Sequence, residues 1–253
     1  LISKGFKCSF LLMTSGGSLT NVQNASDYPI RLVESGPAGG VILATSIARE
    51  LDLKQVISFD MGGTTAKITL IENMSPNKAR EFEVDRKSRF KKGSGLPIRI
   101  PVIEMVEIGA GGGSIARVNK LDQITIGPDS AGAHPGPACY GLGGLEPTIT
   151  DADLIMGKIN SDNFASGKIK LFPEKSELVI RNKISKPLKL DIKMSALGIT
   201  EMVDETMANA ARVHAVEQGQ DTENKTLIAF GGAAPLHVSR IAEKLKVRKI
   251  IIP

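Results

Sequence analysis

The sequence predicts an α/β protein, and two stretches carry that prediction. In residues 56–71 an apolar, β-branched run leads into Asp-Met-Gly-Gly-Thr-Thr, and a second such run follows. β-Branched runs on both sides of a glycine turn are typical of a β-hairpin. In residues 226–245 an apolar run, Gly-Gly-Ala-Ala and a helix-like stretch from about Pro235 follow one another. A strand, a glycine turn and a helix in that order are typical of an α/β unit.

The remaining elements are read from periodicity and from turn residues. Ser35 is expected to cap a helix over about 37–50, with Pro37 in its first turn. Further helices are expected from Thr150 toward Lys158 and over about 195–218. The latter's apolar face would include Met202, Val203, Met207, Ala210, Ala211, Val213 and Val216. Strands are expected near 80–84, 98–108, 114–118, 123–126 and 247–252.

Two stretches have no regular pattern. Residues 127–141 are rich in proline and glycine and predict a long, functional or interfacial loop. Residues 161–190 are polar and lysine-rich, which predicts a surface insertion.

Composition restricts the class of protein. The chain has 42% apolar and 23% charged residues, which is ordinary for a globular domain. Without an apolar run of about 18 residues, no membrane span is expected. The net charge of +5 comes largely from residues 78–99 and 168–193, where few aromatic residues are interleaved, so a solvated surface is favoured over nucleic-acid binding. Two cysteines predict no disulfide framework, which suits the cytoplasm. The chain begins without methionine, and we expect a fragment of a longer protein.

The turn at residues 60–65 has the chemistry of a phosphate site. Gly62 and Gly63 permit positive φ and a close approach to the backbone, and Thr64 and Thr65 add hydroxyls. Asp60 places a carboxylate where a Mg²⁺-bound phosphate would lie. A P-loop would continue into a helix, whereas a strand is expected here. A phosphate-binding hairpin and an ordinary Gly-Gly hairpin both remain open.

Two further glycine turns are candidates for ligand contacts. Gly231, Gly232 and Ala233 lie where a helix N-terminus would face a nucleotide's ribose and phosphates, or where a strand and helix simply pack closely. The turn at residues 111–113 would bind phosphate or close a hairpin.

The three histidines are dispersed along the chain. His134 lies in the long loop and is the candidate for a substrate or metal contact. His214 is expected to be structural and partly buried within a helix. His237 would support a nucleotide site or lie on a helix surface.

Three other residues could carry chemistry. Cys139 is interpreted as a buried small residue, since no base can be identified beside it. Glu104 and Glu107 bracket a strand and would face a cleft or a solvated edge.

Six segments together resemble the hydantoinase A/oxoprolinase family. They occur in family order, cover most of the chain, and lie at residues 35–40, 59–65, 108–115, 127–141, 147–152 and 230–237. The resemblance implies a ribonuclease H-like half of the actin/sugar-kinase/Hsp70 ATPase fold, with an inserted glycine/proline-rich loop region.

The family's domain plan implies how this chain is divided. Residues 1–54 would be a lead-in segment with a connecting helix. Residues 55–253 would form the second actin-like ATPase domain, with a polar surface insertion at about 160–192. The family's first phosphate motif normally lies upstream, so the N-terminal half of the same polypeptide would complete the ATP site.

The resemblance also implies an activity and its residues. Family members couple ATP hydrolysis to opening hydantoins or 5-oxoproline, or to carboxylating ketones; actin and Hsp70 relatives are nucleotide switches. Asp60, through water to Mg²⁺, and Thr64 would be catalytic. The ATP-binding residues would be Gly62, Gly63, Thr64, Thr65, Gly231, Gly232 and Ala233. His134 would contact the small cyclic amide substrate, and a hydantoinase B-like subunit or domain would be the partner.

Two residues depart from the family pattern. Ala234 stands where glycine is common, which would place a methyl group against the ligand. His134 stands where Asp or Asn is usual, so a metal or substrate contact would change there.

Overall fold

The computed structural model describes residues 1–84 and 95–253. Part of the basic stretch 78–99 therefore lies outside the described residues. The chain forms two compact units, one from residues 1–56 and 69–105 and the other from residues 57–68 and 106–253. This division differs from the predicted boundary after residue 54, because residues 69–105 group with the N-terminal segment. Among the described helices, none has the length and apolar character needed to cross a membrane.

The described residues form short strands and seven α-helices. The strands are β1 (Leu11–Met13), β2 (Leu19–Asn21), β3 (Gln55–Met61), β4 (Ala66–Glu72), β5 (Ser75–Pro76), β6 (Lys78–Ala79), β7 (Phe82–Val84), β8 (Leu96–Ile98), β9 (Val102–Ile103), β10 (Val106–Ile108), β11 (Ser114–Val118), β12 (Ile124–Ser130), β13 (Thr226–Phe230) and β14 (Lys249–Ile251). The helices are α1 (Val22–Asp27), α2 (Ser35–Glu50), α3 (Ile149–Ile155), α4 (Pro173–Ile180), α5 (Lys186–Leu188), α6 (Ile192–Glu217) and α7 (Ala234–Leu245). The α/β prediction is confirmed.

In the first unit, α2 packs against the β1–β2 hairpin. Its predicted cap is wrong. Ser35 is the first helical residue, and Glu34 at the N-cap has φ 62° and forms no capping hydrogen bond through its side chain. The strand predicted over 98–108 is also wrong in extent, since β8, β9 and β10 divide it. Pro101, which has no amide hydrogen to donate, lies between the first two.

Most of the main sheet belongs to the second unit, and its strand order is β10-β4-β3-β13-β14. β10 is antiparallel to β4, whereas β13 and β14 are parallel and are joined through α7. The predicted hairpin at 56–71 and the strand–turn–helix unit at 226–245 are both confirmed as β3–β4 and β13–α7. They are neighbours, because β3 lies beside β13.

The long helix α6 packs on α3 and α7, and the Asp191 carboxylate accepts a hydrogen bond from the Met194 amide at its start. Val203 and Met207 are fully buried as predicted. The predicted face is wrong at the three exposed residues Met202, Val213 and Val216. At about 100° per residue they lie about 80° to 140° around the helix from Val203, all on one side of it, whereas His214 lies within about 20° of Val203 and continues the buried face.

The segment predicted as a surface insertion, residues 161–190, is mostly exposed over residues 161–170 and packs partly into the protein beyond them. This segment contains α4, α5 and a π-helical segment at Arg181–Ser185, and its Leu171, Ile180 and Ile184 side chains are buried. The helices were not predicted because the many lysines, which occupy mostly exposed positions between the buried residues, obscure the apolar periodicity of the segment.

Candidate functional site

Residues 60–65, the end of β3 and the loop that joins it to β4, are called the Asp60 turn here. The Gly62 amide donates to the Thr65 carbonyl over 3.1 Å and closes the turn. Neither Gly62 nor Gly63 has positive φ, so the predicted left-handed conformation is wrong. Backbone conformation therefore does not require glycine at these two positions.

Packing does not require glycine there either. A Cβ on Gly63 would meet no described atom within 4 Å, and one on Gly62 would meet only the Thr65 carbonyl oxygen at 4.0 Å. The amides of Gly63 and Thr64 have no hydrogen-bond acceptor within residues 1–84 and 95–253. Both residues are exposed. The Asp60 turn thus presents open space beside Gly62 and Gly63, and two amide donors without an acceptor among the described residues.

The glycine turn at residues 111–113 supports the Asp60 turn from the other side. The Gly112 amide donates to the Gly62 carbonyl over 3.0 Å, and the Gly113 amide donates to the Gly63 carbonyl over 2.6 Å. A Cβ on Gly111 would lie 2.6 Å from both the Gly62 oxygen and the Thr64 nitrogen. Glycine is required here for close approach of two backbones.

Neither of the two interpretations of residues 111–113 agrees with the structure. The amides of Gly112 and Gly113 are used within the protein, so they do not face a ligand. The alternative prediction, hairpin closure, is wrong as well, since β10 pairs with β4 and β11 pairs with β12.

Residues 231–233, the Gly231 turn, lie against the same site. Gly231 has φ 91°, and a Cβ there would lie 2.5 Å from Asp60 Oδ1. The Ala233 amide donates to the Met61 carbonyl over 2.9 Å, which removes it as a ligand donor. Gly232 is exposed, and its Cβ would meet no described atom within 4 Å. Two of the motifs predicted from sequence are therefore adjacent.

Ala234 begins α7 and is fully buried. Its methyl group packs inside the protein, so the predicted position against a ligand is wrong.

Asp60 and Lys67 dominate the electrostatics of the Asp60 turn. Burial raises the pKa of the half-buried Asp60 carboxyl, and the nearby Lys67 ammonium opposes that rise. Lys67 Nζ lies 3.1 Å from Thr65 Oγ1 and 3.0 Å from Glu107 Oε1. Sequence analysis missed Lys67, although it stands two residues after Thr65, the spacing that places side chains on the same side of an extended chain.

His237, Asp153 and Asp204 form a buried ionic network beneath α7. His237 Nδ1 lies 2.7 Å from Asp204 Oδ1, and Nε2 lies 3.0 Å from Asp153 Oδ2. Burial lowers the pKa of His237, but hydrogen bonds to the two carboxylates outweigh it and raise that pKa to about 9. Lys158 Nζ lies 3.1 Å from Asp153 Oδ1 and adds a second positive charge. His237 is thus neither on the helix surface nor at the Asp60 turn.

This network is connected to the glycine turn through α3. Asp153 and Thr150 both lie on α3, and the Thr150 amide and hydroxyl both donate to the Gly112 carbonyl over 2.8 Å. A network that fixes α3 against α6 and α7 therefore also fixes the support beneath the Asp60 turn.

Asp151 anchors the proline- and glycine-rich loop. Its fully buried carboxylate accepts five hydrogen bonds, from the amides of Ala138, Cys139 and Thr148 and from the hydroxyls of Thr148 and Ser176. Burial, followed by the Asp151 charge, strongly raises the pKa of the Cys139 thiol. Cys139 is buried as predicted and is unsuited to act as a nucleophile.

His134 is exposed within that loop, and its substrate contact stays a prediction. Among the described residues, no group of three or more His, Cys, Asp or Glu side chains is arranged to hold a metal ion.

A family model described as hydantoinase/oxoprolinase matches residues 1–253. The chain belongs to the hydantoinase/oxoprolinase family. The predicted resemblance is thereby confirmed.

Two curated family relatives show the range of this similarity. An uncharacterised protein of Methanocaldococcus jannaschii is 41% identical over 100% of this chain and 37% of its own length. The caprolactamase alpha subunit of Pseudomonas jessenii is 35% identical over 94% of this chain and 33% of its own length. The chain therefore spans about a third of the curated relatives that it matches.

Solved family structures have the same fold over most of this chain. A nucleotide-free acetone carboxylase, studied for ATP-dependent acetone carboxylation, matches with a TM-score of 0.86 and 29% identity over 100% of this chain and 34% of its own. ATP-dependent caprolactamase from Pseudomonas jessenii matches with a TM-score of 0.75 and 36% identity, over 88% of this chain and 31% of the caprolactamase chain.

Proposed function

We propose that the Asp60 turn binds the phosphates of ATP, as part of an enzyme that uses ATP to activate a carbonyl oxygen. One observation carries this proposal: Gly62 and Gly63 are glycines without a conformational or packing reason, beside two amides available to an outside acceptor. Exposed amides on a glycine-containing turn suit phosphate oxygens.

The adjacent Gly231 turn supports the same proposal. Gly232 leaves open space at the start of α7, where a helix N-terminus favours negative charge and a bare backbone admits a ribose. In this proposal Gly231 and Gly232 lie beside the adenosine, whereas Ala233 positions the turn through its bond to Met61.

The relatives support ATP as the nucleotide. The caprolactamase and the acetone carboxylation above are both described as ATP-dependent. The sheet order β10-β4-β3-β13-β14, with an antiparallel half and a parallel half, also fits the ribonuclease H-like domain expected from the family resemblance. We infer that a second such domain of the full protein supplies the facing phosphate contacts.

The residues fit a hydrated Mg²⁺ rather than a metal held by a full protein cage. Asp60 offers one desolvated carboxylate, and Mg²⁺ bound with a nucleotide commonly takes one or two carboxylates while keeping several waters. Mg²⁺ would neutralise charge on the transferring phosphoryl group. Asp60 would hold it through water, and the hydroxyls of Thr64 and Thr65 would orient phosphate oxygens.

Phosphorylation explains why amide opening would require ATP. An amide carbonyl is a poor electrophile, and transfer of the γ-phosphoryl group to its oxygen, with release of ADP, makes the carbon reactive. Attack by water, with loss of phosphate and cleavage of the C–N bond, then opens the ring. We therefore assign hydrolysis of a cyclic amide, of the hydantoin, 5-oxoproline or caprolactam type, as the leading activity.

Ketone carboxylation is the second candidate. It is favoured by the acetone carboxylase structure, which matches the whole of this chain. Phosphorylation of an enolate oxygen or of bicarbonate would use the same ATP site. Because the name of the caprolactamase relative includes "subunit alpha", we expect a partner subunit, and a hydantoinase B-like protein fits.

The test is ATP consumption by the full-length protein with its partner subunit. ADP release should depend on a cyclic amide and match ring opening; dependence on a ketone with bicarbonate would select the second candidate. Equal ATP turnover without any of these substrates would contradict an enzyme of either type and favour a nucleotide switch.

A further inference from the structure

Lys67 is positioned toward the Asp60 turn by two neighbouring strands. It lies directly opposite Glu107 in the antiparallel pairing of β4 with β10, and its Nζ lies 3.0 Å from Glu107 Oε1. The same Nζ lies 3.1 Å from Oγ1 of Thr65, the residue just before β4. Its side chain is only 15% exposed.

The second contact, to the hydroxyl of Thr65, distinguishes this ion pair from an ordinary one on the surface. Lys183 and Glu146 form such a pair at 3.1 Å, with the lysine side chain 52% exposed. The Lys67 ammonium instead bends along its strand to a hydroxyl of the turn, and its charge also acts on Asp60. One cation therefore lies within reach of both sides of the Asp60 turn.

We propose that Lys67 is a ligand of the terminal phosphates of ATP, held ready by Glu107 until the nucleotide binds. This inference rests on the proposed ATP site. An ammonium group has three donor hydrogens and serves as a point charge for phosphate. Phosphate oxygens replace Glu107 as acceptor, and the half-exposed Glu107 carboxylate turns to water at little cost, because exposed ion pairs contribute little.

The experiment compares affinities for ATP and adenosine, by calorimetry on the full-length protein with Mg²⁺. Lys67→Met keeps the apolar stem and removes the charge. It should raise the Kd for ATP by about tenfold or more, the scale of one lost charge-assisted hydrogen bond, while the Kd for adenosine stays unchanged. Glu107→Gln removes the competing carboxylate and should leave ATP binding unchanged or tighter. Lys183→Met is the matched control and should change neither Kd.

Two results would overturn the assignment. An equal loss of ATP and adenosine affinity in Lys67→Met would mean that Lys67 acts through the fold. A loss in Glu107→Gln as large as that in Lys67→Met would mean that the pair is structural. If the unmutated protein binds adenosine and ATP with equal affinity, or binds neither, the proposed phosphate site itself fails and this inference fails with it.

Discussion

His237 Nδ1 lies 2.7 Å from Asp204 Oδ1, and the ring's other nitrogen faces Asp153, so a buried imidazolium joins α7 to α6 and α3. Each of the three side chains is at most 2% exposed. A single charged ring thereby fixes the three helices that lie behind the Gly231 turn and the glycine turn.

This network predicts a specific pH dependence of stability. The pKa of His237 rises from 6.5 to about 9 on folding, so its contribution is fully present below about pH 6.5 and is lost as the pH rises through about 9. We expect the free energy of unfolding to fall by on the order of 2–3 kcal/mol between these limits. Urea denaturation of His237→Gln should show a smaller slope with pH. His134→Gln, at an exposed position, should keep the original slope, and an unchanged slope in His237→Gln would contradict the prediction.

Asp151 predicts the accessibility of Cys139. Asp151→Asn replaces one accepting oxygen with an NH₂ group, which cannot accept any of the five hydrogen bonds that converge on this side chain. We therefore expect the free energy of unfolding to fall by about 3 kcal/mol and the loop to be released. In a Cys8→Ser background, thiol labelling of Cys139 should be undetectably slow in the parent and at least about tenfold faster in Asp151→Asn. Asp129→Asn, an exposed change at the start of the same loop, should leave labelling slow. Equal labelling in both variants would remove Asp151 as the anchor.

Substitution by alanine should affect stability very differently at Gly111 and at Gly63. Gly111→Ala places a methyl group 2.6 Å from two backbone atoms and should lower the free energy of unfolding by about 2 kcal/mol or more. Gly63→Ala meets no described atom and should change stability by less than about 1 kcal/mol. It should nonetheless weaken ATP binding, because the methyl group occupies the proposed phosphate space. Tight ATP binding by Gly63→Ala would exclude a close approach there.

Asp60→Asn should separate activity from stability. Burial raises the pKa of this carboxyl in the folded protein. Its ionisation therefore lowers the free energy of unfolding as the pH rises above the ordinary pKa of an aspartate carboxyl. The neutral amide should therefore keep or increase the free energy of unfolding at pH 7. ATP turnover should fall by roughly 100-fold or more, since the proposed Mg²⁺ contact would be lost. Turnover equal to that of the unmutated protein would remove Asp60 from the site; Asp122→Asn, at the β11–β12 turn, serves as the control.

Local pattern was sufficient for the elements nearest the site. The β3–β4 hairpin, the β13–α7 unit and α6 follow from strand alternation, glycine turns and helical period, which depend only on neighbours in the chain. Local pattern did not predict the helices within 161–190, because their apolar face is short and the lysines at exposed positions make the segment read as polar.

The sequence by itself determined which turns were candidates for phosphate binding and, through six ordered motifs, the family. Only the tertiary structure decided what each glycine and each charge does. Gly111 and Gly63 look equivalent as letters, yet one supports a backbone and the other faces open space. His237 and Asp153 stand 84 residues apart, and they meet because α7 and α3 both pack on α6. Local sequence encodes backbone preference, whereas ion pairs and close backbone contacts between distant residues exist only once the helices and the sheet have packed.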